Sequence, residues 1–265
     1  MKRISFALAV IGALLALSRG PAFAAVKTQA IVYKQGETSL QGFLAYDDAA
    51  KGKRPGVVIV HEWWGHNQHA RNQAVRLAKA GYVGFALDMY GKGKVAQHPD
   101  DAKKFMEEAT RDPKVIAARF NAALETLKKQ PQVDPDKIAA IGYCFGGAVV
   151  LAMARGGADL DAVAVFHGPL APQGSPAQKG AIKARILAQI GGSDSMIPKT
   201  QIEAFEKEMK DAGANAKVIV YPKAVHSFTN PDASKYGMPG IAYNADADRK
   251  SWAELMTMFK QVFGS

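Results

Sequence analysis

Gly142-Tyr143-Cys144-Phe145-Gly146-Gly147 is the stretch on which the reading of this chain turns. The run Lys137-Ile138-Ala139-Ala140-Ile141 before it is strand-like, and Ala148–Arg155 after it is helix-like. A strand, a sharp turn and a helix, with a nucleophile at the tip of the turn, is the context that a nucleophile elbow requires. The flanking glycines have a physical task there, because a turn this tight brings strand and helix so close that a Cβ at either flank would clash. The tip residue is the only cysteine of the chain. A small thiol buried beside a glycine-rich helix start is the structural alternative, so the neighbouring sequence has to decide.

Working outward, strand and helix patterns alternate. Ala30–Lys34 and Leu40–Tyr46 flank a turn at Gly36 and predict an antiparallel hairpin. Gly56–Val60, Val83–Leu87, Lys137–Ile141, Ala162–Phe166, Ile186–Ile190 and Lys217–Tyr221 predict buried strands. Between and after them, Gln68–Ala80, Asp100–Thr110, Pro113–Gln130, Lys199–Ala212 and Asp246–Phe263 have helical periodicity. Such alternation implies a mostly parallel sheet covered by helices on both faces. No repeat, low-complexity segment or linker interrupts residues 25–265, which read as a single domain.

Residues 1–24 read as a leader. Lys2 and Arg3 form a basic start, Ile4–Leu17 an apolar stretch, and Ala22-Phe23-Ala24 a small-x-small cleavage site. The apolar stretch is shorter than the about 20 residues of a membrane span, so the expectation is export to the periplasm with no lasting membrane span. No cysteine stands near the cleavage point to carry a lipid. With one cysteine, an internal disulfide is impossible, and Cys144 is expected to be a lone thiol kept for chemistry or well buried. The chain carries a formal +10, of which +7 remains once Lys2, Arg3 and Arg19 leave with the leader. Lysines are interspersed with acids, as in Glu206-Lys207-Glu208-Met209-Lys210-Asp211, and no basic run or nucleic-acid motif is present. A solvated surface is the better reading, and nucleic acid is not an expected partner.

Sites in such sheets form at the carboxyl ends of the strands. After Ile186–Ile190 comes Gly191-Gly192-Ser193-Asp194-Ser195-Met196-Ile197-Pro198, and after Lys217–Tyr221 comes Val225-His226-Ser227-Phe228. Cys144, Asp194 and His226 thus follow the order nucleophile, acid, histidine that marks the α/β-hydrolase fold. A free thiol ionises near 8.5, so a nucleophilic cysteine needs a base. His226 can take its proton, and Asp194 can fix the histidine tautomer. Singly, a loop Asp is often a helix cap and a loop His merely solvated. Three such residues, each after its own strand, favour the catalytic reading. The pair of histidines in His61-Glu62-Trp63-Trp64-Gly65-His66 does not form a zinc-peptidase motif, since Gly65 occupies the place of the second histidine, and no metal is expected.

At this point the chain resembles the dienelactone hydrolase (carboxymethylenebutenolidase-like) family over nearly its whole mature length. The motifs that carry the likeness are His61-Glu62-Trp63-Trp64-Gly65, Asp88-Met89-Tyr90, the cysteine elbow, Gly192-Ser193-Asp194-Ser195-Met196-Ile197-Pro198 and His226-Ser227-Phe228. The resemblance implies that Cys144, Asp194 and His226 are the triad, and that the backbone N–H groups of Trp63 and Phe145 form the oxyanion hole. It further implies that Glu62 faces the resting thiol and moves when substrate binds. A carboxylate beside sulfur would keep Cys144 protonated until then. Trp63, Trp64, Tyr90 and Phe228 are expected as pocket walls, with Asn230 also in the substrate pocket, and His167 as either a wall or a structural residue. One position departs from the family. In the best-known members of that family an arginine four residues beyond the histidine holds the substrate carboxylate; here the position is Asn230. Arg71, Lys92 and Lys94 are the remaining candidates for holding such a group. The expectation is therefore a cofactor-free hydrolase of small esters or lactones acting through an acyl-thioester. A catalytically silent periplasmic binding protein on the same fold is the alternative.

Overall fold

The computed structural model describes residues 26–264. The expected leader lies outside them. β1 (Val26–Gln35) and β2 (Thr38–Asp47) form the predicted hairpin, antiparallel throughout. The alternating part follows as β3 (Arg54–Val60), α1 (Gln68–Lys79), β4 (Val83–Ala86), α2 (Pro99–Thr110), α3 (Pro113–Lys128) and β5 (Val133–Tyr143). Then come α4 (Phe145–Arg155), β6 (Ala162–Phe166), β7 (Arg185–Gly191), α5 (Lys199–Ala212), β8 (Ala216–Tyr221) and α6 (Ala245–Phe263). The strands make one eight-stranded sheet in the order β1-β2-β4-β3-β5-β6-β7-β8. Only β1 and β2 run antiparallel to their neighbours; β3 to β8 are parallel. This is the α/β-hydrolase architecture.

The sheet is buried on both faces because its central stretches Gly56–Val60, Ile138–Gly142 and Ala162–Phe166 carry no polar side chain. Successive side chains on a strand point to opposite faces. Val58, Val60, Ala140, Val163 and Val165 therefore join one core, with Phe120 of α3, Val149 and Val150 of α4 and Phe205 of α5. Val57, Ile59, Ala139, Ile141, Ala162 and Ala164 join the other, with Ala74 and Leu77 of α1 and Leu255 and Phe259 of α6. Full burial of one such large side chain contributes roughly 1.5–3 kcal/mol.

Two of the differences from the sequence expectation have a visible tertiary cause. β5 begins at Val133 rather than Lys137, because Arg54 and Pro55 of β3 pair with Val133 and Asp134. The register then shifts between Pro55 and Gly56, so that Gly56 pairs with Ile138. The Asp-Pro-Asp signal of a turn is thus absorbed as an irregularity inside a strand. A 3-10 turn at Ala233–Tyr236 was not foreseen, and Tyr236 on it stacks on Trp64 with ring centroids 3.6 Å apart.

The elbow joins β5 to α4 at very close range. A Cβ on Gly142 would collide with the carbonyl of Gly146, and one on Gly146 with the carbonyl of Val60 on β3. These contacts are backbone to backbone, so no side-chain rearrangement relieves them. Gly142→Ala is expected to cost about 3 kcal/mol or more, at the upper end of overpacking substitutions. Urea unfolding of the purified variant measures this directly; a change under about 1 kcal/mol would show that the elbow can widen.

Candidate active site

The elbow holds Cys144 at φ +50°, a left-handed conformation that non-glycine residues rarely adopt. The strain is held in place on both sides. The Cys144 N–H donates to the Phe166 carbonyl at the end of β6, and its own carbonyl accepts from Gly147 N–H. Asp194 reaches the site from the loop after β7, and His226 from the loop after β8. The two loops are tied together: Ser193 N–H donates to the Ala224 carbonyl and the Ser193 hydroxyl to the Pro222 carbonyl.

The structure brings Cys144, Asp194 and His226 together. His226 Nδ1 lies 2.8 Å from Asp194 Oδ2, while Asp194 Oδ1 accepts from Met196 N–H at 2.9 Å. Nε2 has no aligned hydrogen-bond partner and is left to the Cys144 sulfur beside it. Burial works against a charge on His226, but the negative Cys144 sulfur and the bond to Asp194 outweigh it and raise the pKa from 6.5 to about 10.

Glu62 is placed differently from the sequence expectation. Both of its carboxylate oxygens are occupied away from the sulfur: Oε1 accepts from the Ser227 hydroxyl at 2.8 Å and Oε2 from Asn230 Nδ2 at 2.6 Å. Ser227 sits at φ +57°, and Asn230 N–H donates to the Ser227 carbonyl, so one tight turn presents both donors to Glu62. The Asn230 amide is oriented by its Oδ1, which accepts from Asp232 N–H. Among the described residues no hydrogen bond joins Glu62 to Cys144. The arrangement with the carboxylate guarding a protonated thiol is therefore not the one in this structure.

A cavity of about 150 Å³ opens over the cysteine, walled by Trp63, Met106, Met196, Met238 and Ile241, with Cys144 and His226 exposed to it. Its lining is almost wholly apolar. Of the residues expected at the pocket, Trp63 is a wall, while Trp64, Tyr90, Phe228 and Asn230 are elsewhere. Trp64 is buried under Tyr236. Tyr90 is buried with its hydroxyl on the Trp63 carbonyl, 3.0 Å away. Phe228 is buried between Tyr221 and His167, and Asn230 is turned to Glu62. Sequence alone ranks aromatics by proximity to motifs and cannot tell which side of the backbone they leave. The methionine walls were missed, although Met196 lies inside one of the motifs.

His167 is structural. It is fully buried, hydrogen-bonded to Thr229 Oγ1 at 2.8 Å, and packs edge-on against His226. Burial first, and then the charge of His226, holds its pKa well below the ordinary value. A larger cavity of about 340 Å³ is lined by Arg71, Asp232, Tyr236 and Asn230, but it holds no member of the triad. Glu62, bonded to Ser227 on the small cavity and Asn230 on the large one, stands between the two. Arg71 therefore faces the wrong compartment. Lys94 pairs with Glu108 at the surface, and neither it nor Lys92 lines the small cavity. Among the described residues, no cluster of three His, Cys, Asp or Glu could hold a metal ion, and no helix is long and apolar enough to cross a membrane.

The two N–H groups expected as an oxyanion hole are free. Neither Trp63 N–H nor Phe145 N–H, the first of α4, donates to another group among the described residues. Because the negative sulfur raises the His226 pKa, its removal must lower it. In Cys144→Ala, NMR titration of the imidazole is expected to show a midpoint clearly below that of the parent protein. An unchanged midpoint would mean that Asp194 alone sets it.

Comparison with known proteins agrees with this geometry. The model of the dienelactone hydrolase family matches residues 40–263. "Protein usf" of Aquifex pyrophilus is 32% identical over 239 residues, covering 88% of this chain and 98% of that protein. The crystal structure of a dienelactone hydrolase-like promiscuous phosphotriesterase from metagenomic libraries is 35% identical and superposes with a TM-score of 0.85, covering 89% of this chain and 98% of the other. Dienelactone hydrolase of Anabaena variabilis, 21% identical with a TM-score of 0.62 over 89% of this chain and 98% of that one, shares the fold. The chain belongs to the dienelactone hydrolase family and is an ester or lactone hydrolase of the α/β-hydrolase fold.

Proposed function

We propose that this protein hydrolyses small neutral esters or lactones with a Cys144-His226-Asp194 triad. The observation that carries the reading is Cys144 at the floor of an apolar cavity, beside a histidine whose far nitrogen is held by Asp194 at 2.8 Å. The Cys144 sulfur attacks the acyl carbon, and the carbonyl electron pair moves onto an oxygen that Trp63 and Phe145 N–H groups stabilise. The intermediate collapses as the carbon–oxygen bond to the leaving group breaks. The imidazolium of His226 supplies the proton that the alkoxide takes. An acyl-thioester remains on Cys144. His226, now neutral, takes a proton from water as it attacks the thioester, and the thiolate leaves with release of the acid. Asp194 holds the productive tautomer throughout.

Substrate preference follows from the cavity walls. Among the described residues, no lysine or arginine lines the space over Cys144, and Asn230 is committed to Glu62. A substrate carboxylate would lose water there without gaining a charged partner. Export to the periplasm is part of the proposal and rests on the leader-like residues 1–24.

Two measurements test it. Aryl acetate turnover is expected, with kcat/KM falling at least about 1,000-fold in Cys144→Ala. Neutral esters and lactones should be turned over at least as well as carboxylated analogues; a strong preference for the carboxylated ones would overturn the substrate assignment. No turnover by the wild-type protein across an ester and lactone panel would favour a binding protein that has kept the pocket. Fractionation of cells expressing the full chain tests the periplasmic assignment, which an intact leader and a cytoplasmic location would refute.

A further inference from the structure

The Asp88-Met89-Tyr90 motif plays no part in the chemistry above, yet its side chains and backbone converge on the oxyanion loop. His61, fully buried at the end of β3, has its Nδ1 2.6 Å from the Glu62 carbonyl and its Nε2 3.2 Å from Met89 N–H. A backbone N–H can only donate, so Nε2 is the acceptor and the proton is on Nδ1, which donates to Glu62. The Glu62 carbonyl and the Trp63 N–H belong to one peptide unit, and in a trans peptide they point in opposite directions. Drawing the carbonyl to His61 therefore aims the Trp63 N–H the other way, and it is one of the two free donors. The next peptide is fixed too, since the Tyr90 hydroxyl donates to the Trp63 carbonyl at 3.0 Å. The His61 and Tyr90 rings pack edge to face with centroids 4.8 Å apart, and both lie within about 6 Å of the Phe145 ring, on the residue that supplies the second donor. Asp88 mounts the assembly: its Oδ1 accepts from Tyr90 and Gly91 N–H and its Oδ2 from Gln41 N–H on β2.

We propose that His61 and Tyr90 are positioning residues for the oxyanion hole, locking the two peptides on either side of Trp63, with Asp88-Met89-Tyr90 as their mount. The proposal rests on the hydrolase reading above, and its test separates the two. Full-length His61→Phe, His61→Gln and Tyr90→Phe are compared with the parent in three assays: turnover of a neutral aryl ester, alkylation of Cys144 by iodoacetamide, and binding of an uncharged aliphatic aldehyde. The aldehyde reports on the hole without turnover. The sulfur bonds to its carbon, the carbonyl pair becomes an oxyanion, and His226 then protonates that oxygen to give a thiohemiacetal. Alkylation needs the thiolate but no oxyanion donor.

The expected result is a fall in kcat of about 100-fold for His61→Phe and about tenfold for Tyr90→Phe, bounded by the loss of one oxyanion donor, with KM little changed. Aldehyde affinity should fall in parallel while the alkylation rate stays at the parent value. Glutamine offers one donor and one acceptor, so His61→Gln should recover most of the loss. Tyr90→Phe removes a single oxygen and keeps the ring, which keeps the test open if His61→Phe does not fold. Parent-like kcat and aldehyde affinity in Tyr90→Phe and in the folded His61 variants would overturn the proposal. So would a parallel loss of alkylation, which marks general damage, or a parent protein that binds no aldehyde. If the parent hydrolyses no ester but binds the aldehyde more tightly than the variants, the hydrolase reading fails and the positioning role stands.

Discussion

The close approach of backbone to backbone at the elbow is the constraint on which the rest of the structure depends. Gly142 faces the Gly146 carbonyl and Gly146 faces the Val60 carbonyl, with no room for a Cβ at either place. This contact lets α4 start immediately after β5. It forces Cys144 into a left-handed conformation, which lifts the sulfur clear of the sheet. It also leaves the Phe145 N–H, at the first position of α4, without an intrahelical partner. The thiol and the free N–H are thus products of one turn. The same turn brings them within reach of β3, whose following loop supplies Trp63.

Electrostatics then links three loops that are distant in sequence. His226 is flanked by the Cys144 sulfur and Asp194, and at this degree of burial two negative neighbours outweigh the cost of desolvating the imidazolium. Glu62, also buried, is kept apart from the sulfur by the hydroxyl of Ser227 and the amide of Asn230. Both donors are neutral, and among the described residues no cation forms an ion pair with Glu62. An arginine at position 230 would bring a charge that an amide lacks. Asn230 thus holds Glu62 by hydrogen bonding alone. Because Glu62 precedes Trp63 and Ser227 follows His226, the Glu62–Ser227 bond also ties the oxyanion loop to the histidine loop.

The apolar walls complete the division of labour. Met106 comes from α2, Met196 from the loop that carries Asp194, and Met238 and Ile241 from the segment after the 3-10 turn, so the cavity is closed by three separate parts of the chain. Unbranched thioether side chains adapt to different shapes, which suits an acyl or alcohol group recognised by size rather than charge. The stack of Tyr236 on Trp64 anchors the segment that brings Met238 and Ile241 to the site.

Sequence by itself determined the fold class, because the periodicity of buried strands and amphipathic helices is a local property and survives without knowledge of neighbours. It also determined which residues could form the triad. Cys144, Asp194 and His226 each follow a strand, and parallel strands deliver their ends to one edge of the sheet. The irregular start of β5 and the 3-10 turn were less legible, since the first depends on pairing with Arg54 and Pro55 and the second on a stack with Trp64. Only the tertiary structure decided where side chains off the strands point. It turned Glu62 toward Ser227 and Asn230, buried Trp64 and Phe228, and made His61 and Tyr90 neighbours of the same two peptides. A hydrogen bond between residues 165 positions apart, as from Ser227 to Glu62, leaves no periodic trace in the chain. Its geometry is set by backbone torsions such as the left-handed Ser227, and those become favourable only when the surrounding loops are in place to hold them.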